Sequence, residues 1–415
     1  MKLPWKIWAW ASYDFANTIF SMNVVSLYFA QWVIFDLGQN ELSYSLSYSL
    51  SMLAVALTLP ILGSLADRHS YHHRFLVVFT LLCIAATTTL GLLGNSNLPV
   101  ATMALFALIL FGVANYFFEG GIVFYNSLLP EVSKELGMGK TSGIGVGLGY
   151  VGTIAGLYLV RPFVADGTRA DAFIPTAVLF LAFSIPIFYL AYHTRHARGT
   201  LVAPTYSFNL WKILKETRQY PGLTRFLIAD FLLEDAVVTI IIYMAVYMQK
   251  VYAIPDSVKT NYLALATTAA IAGAFLAGWI TDKIGPRRTL KFVFLGWLFA
   301  LAAIAFAPSV RVFYILGGFV GMFLGATWTS SRPLLAQLVP KEKLGQFFGL
   351  YSLSGRAAAI VGPIIWGLVV KLPLVGGGAY RAAVLALDLM VLFGFLIYLK
   401  MPLVVSKVEP KESKS

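Results

Sequence analysis

The chain has 415 residues, 59% of them hydrophobic and only 12% charged, with a mean hydropathy of +0.77; soluble domains carry about 25% charge. That composition excludes a water-soluble globule. The formal charge of 31 − 19 = +12 is read as the Lys and Arg excess that membrane proteins keep on the cytoplasmic side, not as a nucleic-acid footprint, and the lone Cys83 has no disulfide partner.

Apolar runs, each near the roughly 20 residues that a crossing needs, cover 7–35, 43–66, 75–94, 98–129, 142–163 and 172–192. After a polar stretch they resume at 222–250, 258–281, 289–307, 311–331, 346–370 and 380–400. The expected architecture is all-α, with twelve transmembrane helices in two pseudo-symmetric six-helix bundles. The boundaries expected are 1–192, a cytoplasmic linker at 193–221, 222–405, and a disordered tail at 406–415. Asp14 and Asn17 interrupt the first run, so it does not read as a cleavable signal peptide. Termini and even-numbered connections hold twenty-two Lys and Arg, odd-numbered ones seven. That bias places both termini in the cytoplasm, in a plasma (inner) membrane protein expected to be a monomer.

The halves repeat a loop between their second and third helices. Gly63, Asp67 and Arg68 in the first stand opposite Gly278, Asp282, Lys283, Arg287 and Arg288 in the second, and the glycines are 215 positions apart. Many secondary transporters are built from such repeats. The loops resemble the G-x-x-x-D-[RK]-x-G-x-[RK]-[RK] signature of the major facilitator superfamily, with Ser70 in place of the second glycine and His72 and His73 at basic positions. Glycine allows close helix approach and aspartate can pair with the basic residues, so a cytoplasmic gate is expected here, with Arg332.

Ionisable groups at membrane depth usually face a cavity or a partner. Asp14 and Asn17 share a face of the first helix. Asn115, Glu119 and Asn126 share one of the fourth; Asp230 and Glu234 share one of the seventh, beside Asp235. Arg356 lies on the eleventh helix and Asp388 on the twelfth, and pairing of Arg356 with Asp388 or Glu234 is the structural alternative. A carboxyl kept from water holds a proton more readily, so Glu119 or Asp235 is the expected coupling group. On helix five, Gly145, Gly149, Gly152 and Gly156 form a small-residue stripe, either a sliding surface between the halves or static packing. His69, His72, His73, His193 and His196 are too few for the histidine boxes of a membrane di-iron enzyme; no metal, cofactor or enzymatic activity is expected. A pH-sensitive latch at His72 and His73 is the milder reading.

Several segments resemble the vacuole-effluxer family of that superfamily, the autophagy-related permeases and their bacterial relatives. Tyr13-Asp14-Phe15-Ala16-Asn17 is similar to its Y-D-W-A-N, and Phe124-Tyr125-Asn126-Ser127-Leu128-Leu129-Pro130 to F-Y-N-a-x-L-P. Ser331-Arg332, Phe347-Phe348-Gly349-Leu350-Tyr351, Gly355-Arg356 and Gly362-Pro363 extend the match; Gly325 to Ser330 departs from the family's G-G-x-Q-A-x stretch. The resemblance implies a secondary transporter whose vacuolar relatives release amino acids, and marks Asp14, Asn17, Asn126, Asp235 and Arg356 as motif positions. The expected function is alternating-access transport of a small solute, an amino acid, coupled to protons, with membrane lipids as surroundings. A drug or sugar permease with Trp8, Trp10, Tyr125 and Tyr243 lining an apolar cavity is one alternative. A non-transporting receptor or lipid scramblase is the other.

Overall fold

The computed structural model describes residues 4–69, 71–136, 138–165, 167–194, 215–340, 344–375 and 377–402. The expected tail, and all but the ends of the expected linker, lie outside these. The described helices are Trp5–Asp36 (α1), Glu41–His69 (α2), His72–Gly94 (α3), Val100–Ser127 (α4), Met138–Ala165 (α5), Phe173–Thr194 (α6), Leu223–Tyr252 (α7) and Asp256–Ile284 (α8). Pro286–Phe306 (α9), Val310–Leu338 (α10), Leu344–Ala357 with Val361–Val369 (α11) and Gly378–Leu399 (α12) complete them. Eleven spans are long and apolar enough to cross a membrane. The remaining one, α7, has 30 residues, about 45 Å at 1.5 Å per residue, and carries three carboxylates in its first half. No strand occurs among the described residues, and the all-α architecture expected from the sequence holds.

Proline sets several starts: Pro99 and Pro255 precede α4 and α8, and Pro286 is the first residue of α9, where a missing N–H is harmless. Gly285 makes the turn into α9 at φ +85°, open to glycine and strained for other residues. Large apolar side chains such as Phe275, Phe299, Phe306, Leu57 and Ile61 point outward, the surface a hydrocarbon solvent requires.

Within the first six helices, α1 packs on α5 and α6, and α4 on α2 and α3; within the last six, α7 packs on α12, and α10 on α8 and α9. The glycine stripe of α5 meets α1. A Cβ at Gly145 would strike Trp10 and Asp14, one at Gly152 the backbone of Phe15, and one at Gly156 Ile19. It is therefore packing inside the first group and not a sliding surface between groups.

Two helices depart from the simple rods expected. α1 contains π-helical stretches at Ser21–Tyr28 and Trp32–Asp36, and its middle is where α7 touches it. α11, expected as one helix over 346–370, breaks between Ala357 and Val361. Pro363 has no N–H to continue the ladder, and the backbone groups freed there find side chains. The Gly362 N–H donates to both carboxylate oxygens of Asp235 at 2.9 Å. The Ser49 and Ser45 hydroxyls of α2 donate to the carbonyls of Ile360 at 2.9 Å and Pro363 at 2.6 Å.

Candidate functional site

Glu119 and Arg356 meet across the middle of the molecule. Glu119 lies eight residues before the end of α4, about 12 Å below that surface, and Arg356 lies at the end of the first piece of α11. Arg356 Nε stands 3.6 Å from Glu119 Oε2, with both side chains less than one-fifth exposed. This pair joins the first six helices to the last six. Asn115, one turn deeper on α4, is buried and donates to Ser51 Oγ at 2.8 Å. Tyr48 of α2 is buried within electrostatic reach of both Glu119 and Asp235. Asn126, eleven residues and about 16 Å from Asn115, is exposed at the end of α4; the shared face brings only the first two to the interior.

On α7 the three carboxylates have three different partners. Asp230 accepts from Ser331 Oγ of α10 at 2.8 Å. Glu234 accepts from Tyr351 OH of α11 at 3.2 Å, and a Cβ at Gly355 would meet it. Asp235 is fully buried as the cap of the second piece of α11. Its geometry is that of a helix cap turned away from open space. Arg332 is exposed, within electrostatic reach of Glu234 and of Tyr150 on α5. Asp14 is hydrogen-bonded by Asn17 Nδ2 at 3.2 Å, lies within electrostatic reach of Tyr125, and packs on Gly145 and Trp10, apart from Glu119. Asp388 does not pair with Arg356, and its buried Oδ1 has no hydrogen bond.

The aromatic side chains expected to line an apolar cavity are packed away. Trp10 stacks on Tyr125 at 4.5 Å and Tyr243 on Trp366 at 4.8 Å, all buried, while Trp8 points outward.

At the face opposite the termini, a charged cluster also joins the two groups of helices. Arg169, in the connection between α5 and α6, pairs with Asp36 at the end of α1 and, at 2.9 Å, with Asp256 at the start of α8. Lys259 is fully buried and donates to Asp256 at 2.6 Å, to Gln249 of α7 at 2.6 Å and to Gln31 of α1. Tyr380 of α12 donates to Glu41 of α2 nearby. In the sequence, Arg169 and Lys259 fall among the seven Lys and Arg of the odd-numbered connections. The available signal was Lys259, a cation inside an apolar run next to Asp256.

On the terminal face, the two repeat glycines have open surroundings among the described residues. A Cβ at Gly63 would meet nothing within 4 Å, and one at Gly278 only the Thr329 methyl at 3.7 Å. Among the described residues, the close helix approach expected at these glycines is absent. The side chains of Asp67 and Arg68 lie outside the described set, as does Ser70. Asp282 and Arg288 are exposed. Arg287 instead donates to the carbonyl of Pro402 at 2.6 Å and to that of Met401, strapping the end of α12 to α9. His72 shares a hydrogen bond with Ser127 at 2.9 Å, and His73 lies 3.6 Å from Glu131, so both hold α3 to the end of α4. The hydrogen bonds and ion pairs that cross between the halves, among the described residues, lie at Glu119–Arg356 or beyond it toward the far face. The molecule is shut on the far side.

The family described as vacuole effluxer Atg22 like matches residues 33–411. The chain belongs to that family. It is 26% identical to the MFS-type transporter YxiO of Bacillus subtilis over 95% of this chain and 94% of that one. It is 24% identical to autophagy-related protein 22-1 of Neosartorya fischeri, over 57% of this chain and 44% of that protein. A bacterial homologue of the iron transporter ferroportin, crystallised in an inward-facing state, superposes with a TM-score of 0.72 at 14% identity, covering 96% of this chain and 99% of that one. That likeness shows the fold. This Atg22-like chain is a multi-pass membrane transporter of the major facilitator type, and not an enzyme.

Proposed function

We propose that this transporter moves a small zwitterionic solute, an amino acid, by alternating access, and that the solute binds between Glu119 and Arg356. The observation that carries the proposal is that ion pair: an acid from one half and a base from the other, near mid-membrane and incompletely buried. The two charges are complementary to the ammonium and carboxylate of an amino acid once the direct pair opens to admit it, and a guanidinium binds carboxylate in a two-pronged geometry. A solute that replaces the direct pair lets the halves part. Protonation of Glu119 would release Arg356 in the same way, which supports proton coupling through Glu119. Asp235, committed to Gly362, serves to hold the break in α11.

The two units, 1–192 and 222–405, rock about this site with the polar 193–221 segment between them. The basic excess of the even connections supports cytoplasmic termini in a plasma membrane. On that reading the structure is open toward the cytoplasm and closed outside by the Asp36–Arg169–Asp256–Lys259 cluster. A thermal-shift screen with amino acids, nucleosides and sugars tests the substrate class, because a ligand that binds only the folded protein raises its melting temperature. Stabilisation by amino acids that disappears in both Glu119→Gln and Arg356→Gln supports the assignment. Stabilisation by sugars or nucleosides alone would overturn it.

A further inference from the structure

A cavity of about 340 Å³ opens between the first turns of α7 and the first piece of α11, outside the Glu119–Arg356 site. Its volume is in the range of pockets that hold small ligands, about 300–1,000 Å³. Its α7 wall is a stripe at i, i+3, i+4 and i+7: Thr224, Leu227, Ile228 and Phe231. The seven steps from Thr224 to Phe231 descend about 10 Å into the membrane. Leu350 closes the floor from α11. Ser354, also on that wall, precedes Arg356 by two residues and so lies about 200° round the helix from it. The cavity therefore faces away from the interior site, and Ile228 in its floor is 46% exposed on the outer surface.

The mouth is chemically different from the floor. Arg218 stands at it, exposed and without an ion-pair partner among the described residues. The Thr224 hydroxyl donates to Thr217 Oγ1 at 3.0 Å beside it. Lys215 and Arg225 add positive charge on the same turns, and Arg225 donates to the Lys400 carbonyl, which ties this corner to the end of α12. A cation and hydroxyls at headgroup depth over an apolar slot match one kind of amphiphile. Basic pockets between transmembrane helices are suited to anionic lipid headgroups.

We infer that this groove is a binding site for one anionic phospholipid, its phosphate against Arg218 and Thr224 and one acyl chain along Leu227, Ile228 and Phe231. A lipid there would wedge α7 against α11, the helices that carry Glu234 and Arg356.

The test uses the full chain in nanodiscs of phosphatidylcholine with a minor fraction of phosphatidylglycerol, then native mass spectrometry of the released protein. The wild type is expected to retain one phosphatidylglycerol in preference to phosphatidylcholine. Arg218→Gln should cut that retention about five-fold, and Ile228→Asp, which sets a negative charge along the acyl path, should abolish it. Equal retention of the two lipids, or retention unchanged in both variants, overturns the site. Fluorescence of a Trp at position 228 supplies a readout independent of extraction. Phosphatidylglycerol with brominated chains should quench it more strongly when Arg218 is present than in the Arg218→Gln background. Equal quenching in the two backgrounds overturns the site, as does displacement of the lipid by inorganic phosphate alone.

Discussion

Asp256→Asn tests whether the charged cluster at the far face holds that side shut. Wild-type Asp256 accepts from Arg169 at 2.9 Å and from Lys259 at 2.6 Å. Two carboxylates, Asp36 and Asp256, balance Arg169 and Lys259; the substitution leaves one carboxylate against two cations. Lys259 is fully buried, so it then faces only neutral acceptors, the side-chain carbonyls of Gln31, Gln249 and the new amide. Breaking a buried pair costs about 3–5 kcal/mol, whereas an exposed one is worth about 0–1. Asp256 is 22% exposed, which puts the expected loss near 2 kcal/mol, about a 30-fold shift. Because the cluster joins α1 and the α5–α6 connection to α7 and α8, the loss falls on the state with the far face closed. Spin labels at Asn97 and Pro308, in connections on that face in opposite halves, read the separation. The variant should move population toward longer distances. A distribution identical to wild type in both Asp256→Asn and Arg169→Gln would refute the latch.

Three further outcomes follow from the geometry. Glu119→Gln should abolish proton movement linked to transport while leaving a folded protein; unaltered coupling would remove Glu119 from that role. Asp235→Asn should destabilise the fold by about 1–3 kcal/mol for a disrupted buried cap, seen as a lower melting temperature, and spare proton coupling; a stable but uncoupled variant would reverse that assignment. Gly325→Val should destabilise the second half, since a Cβ there would lie 2.8 Å from the Ala270 carbonyl carbon and 2.9 Å from Ala274 N, with overpacking costing about 1–3 kcal/mol. A melting curve matching wild type would show that α8 and α10 can separate freely.

The crossings were legible because a lipid solvent demands long apolar runs, and composition reports those directly. The repeat at Gly63 and Gly278 was equally visible. What its glycines do was not: their role depends on which face is closed, and a sequence contains both states at once. Helical spacing placed Asn115, Glu119 and Asn126 on one face, but depth separates the last from the others, and periodicity carries no depth. The partner of Arg356 lay beyond reach for a similar reason. Glu119 is on another bundle, so no local spacing relates the two, and the nearer candidates Asp388 and Glu234 looked equally good. Asp235 drew notice as a buried acid, yet its partner is a backbone N–H released by Gly362-Pro363, a break that the apolar run at 346–370 conceals.

Solute flux into proteoliposomes, with and without an imposed pH gradient, measures the central claim most directly. Alternating access at Glu119 and Arg356 predicts saturable uptake of an amino acid, accelerated by the gradient in the wild type and lost in Arg356→Gln. Uptake of equal rate and pH response in wild type, Glu119→Gln and Arg356→Gln would contradict it.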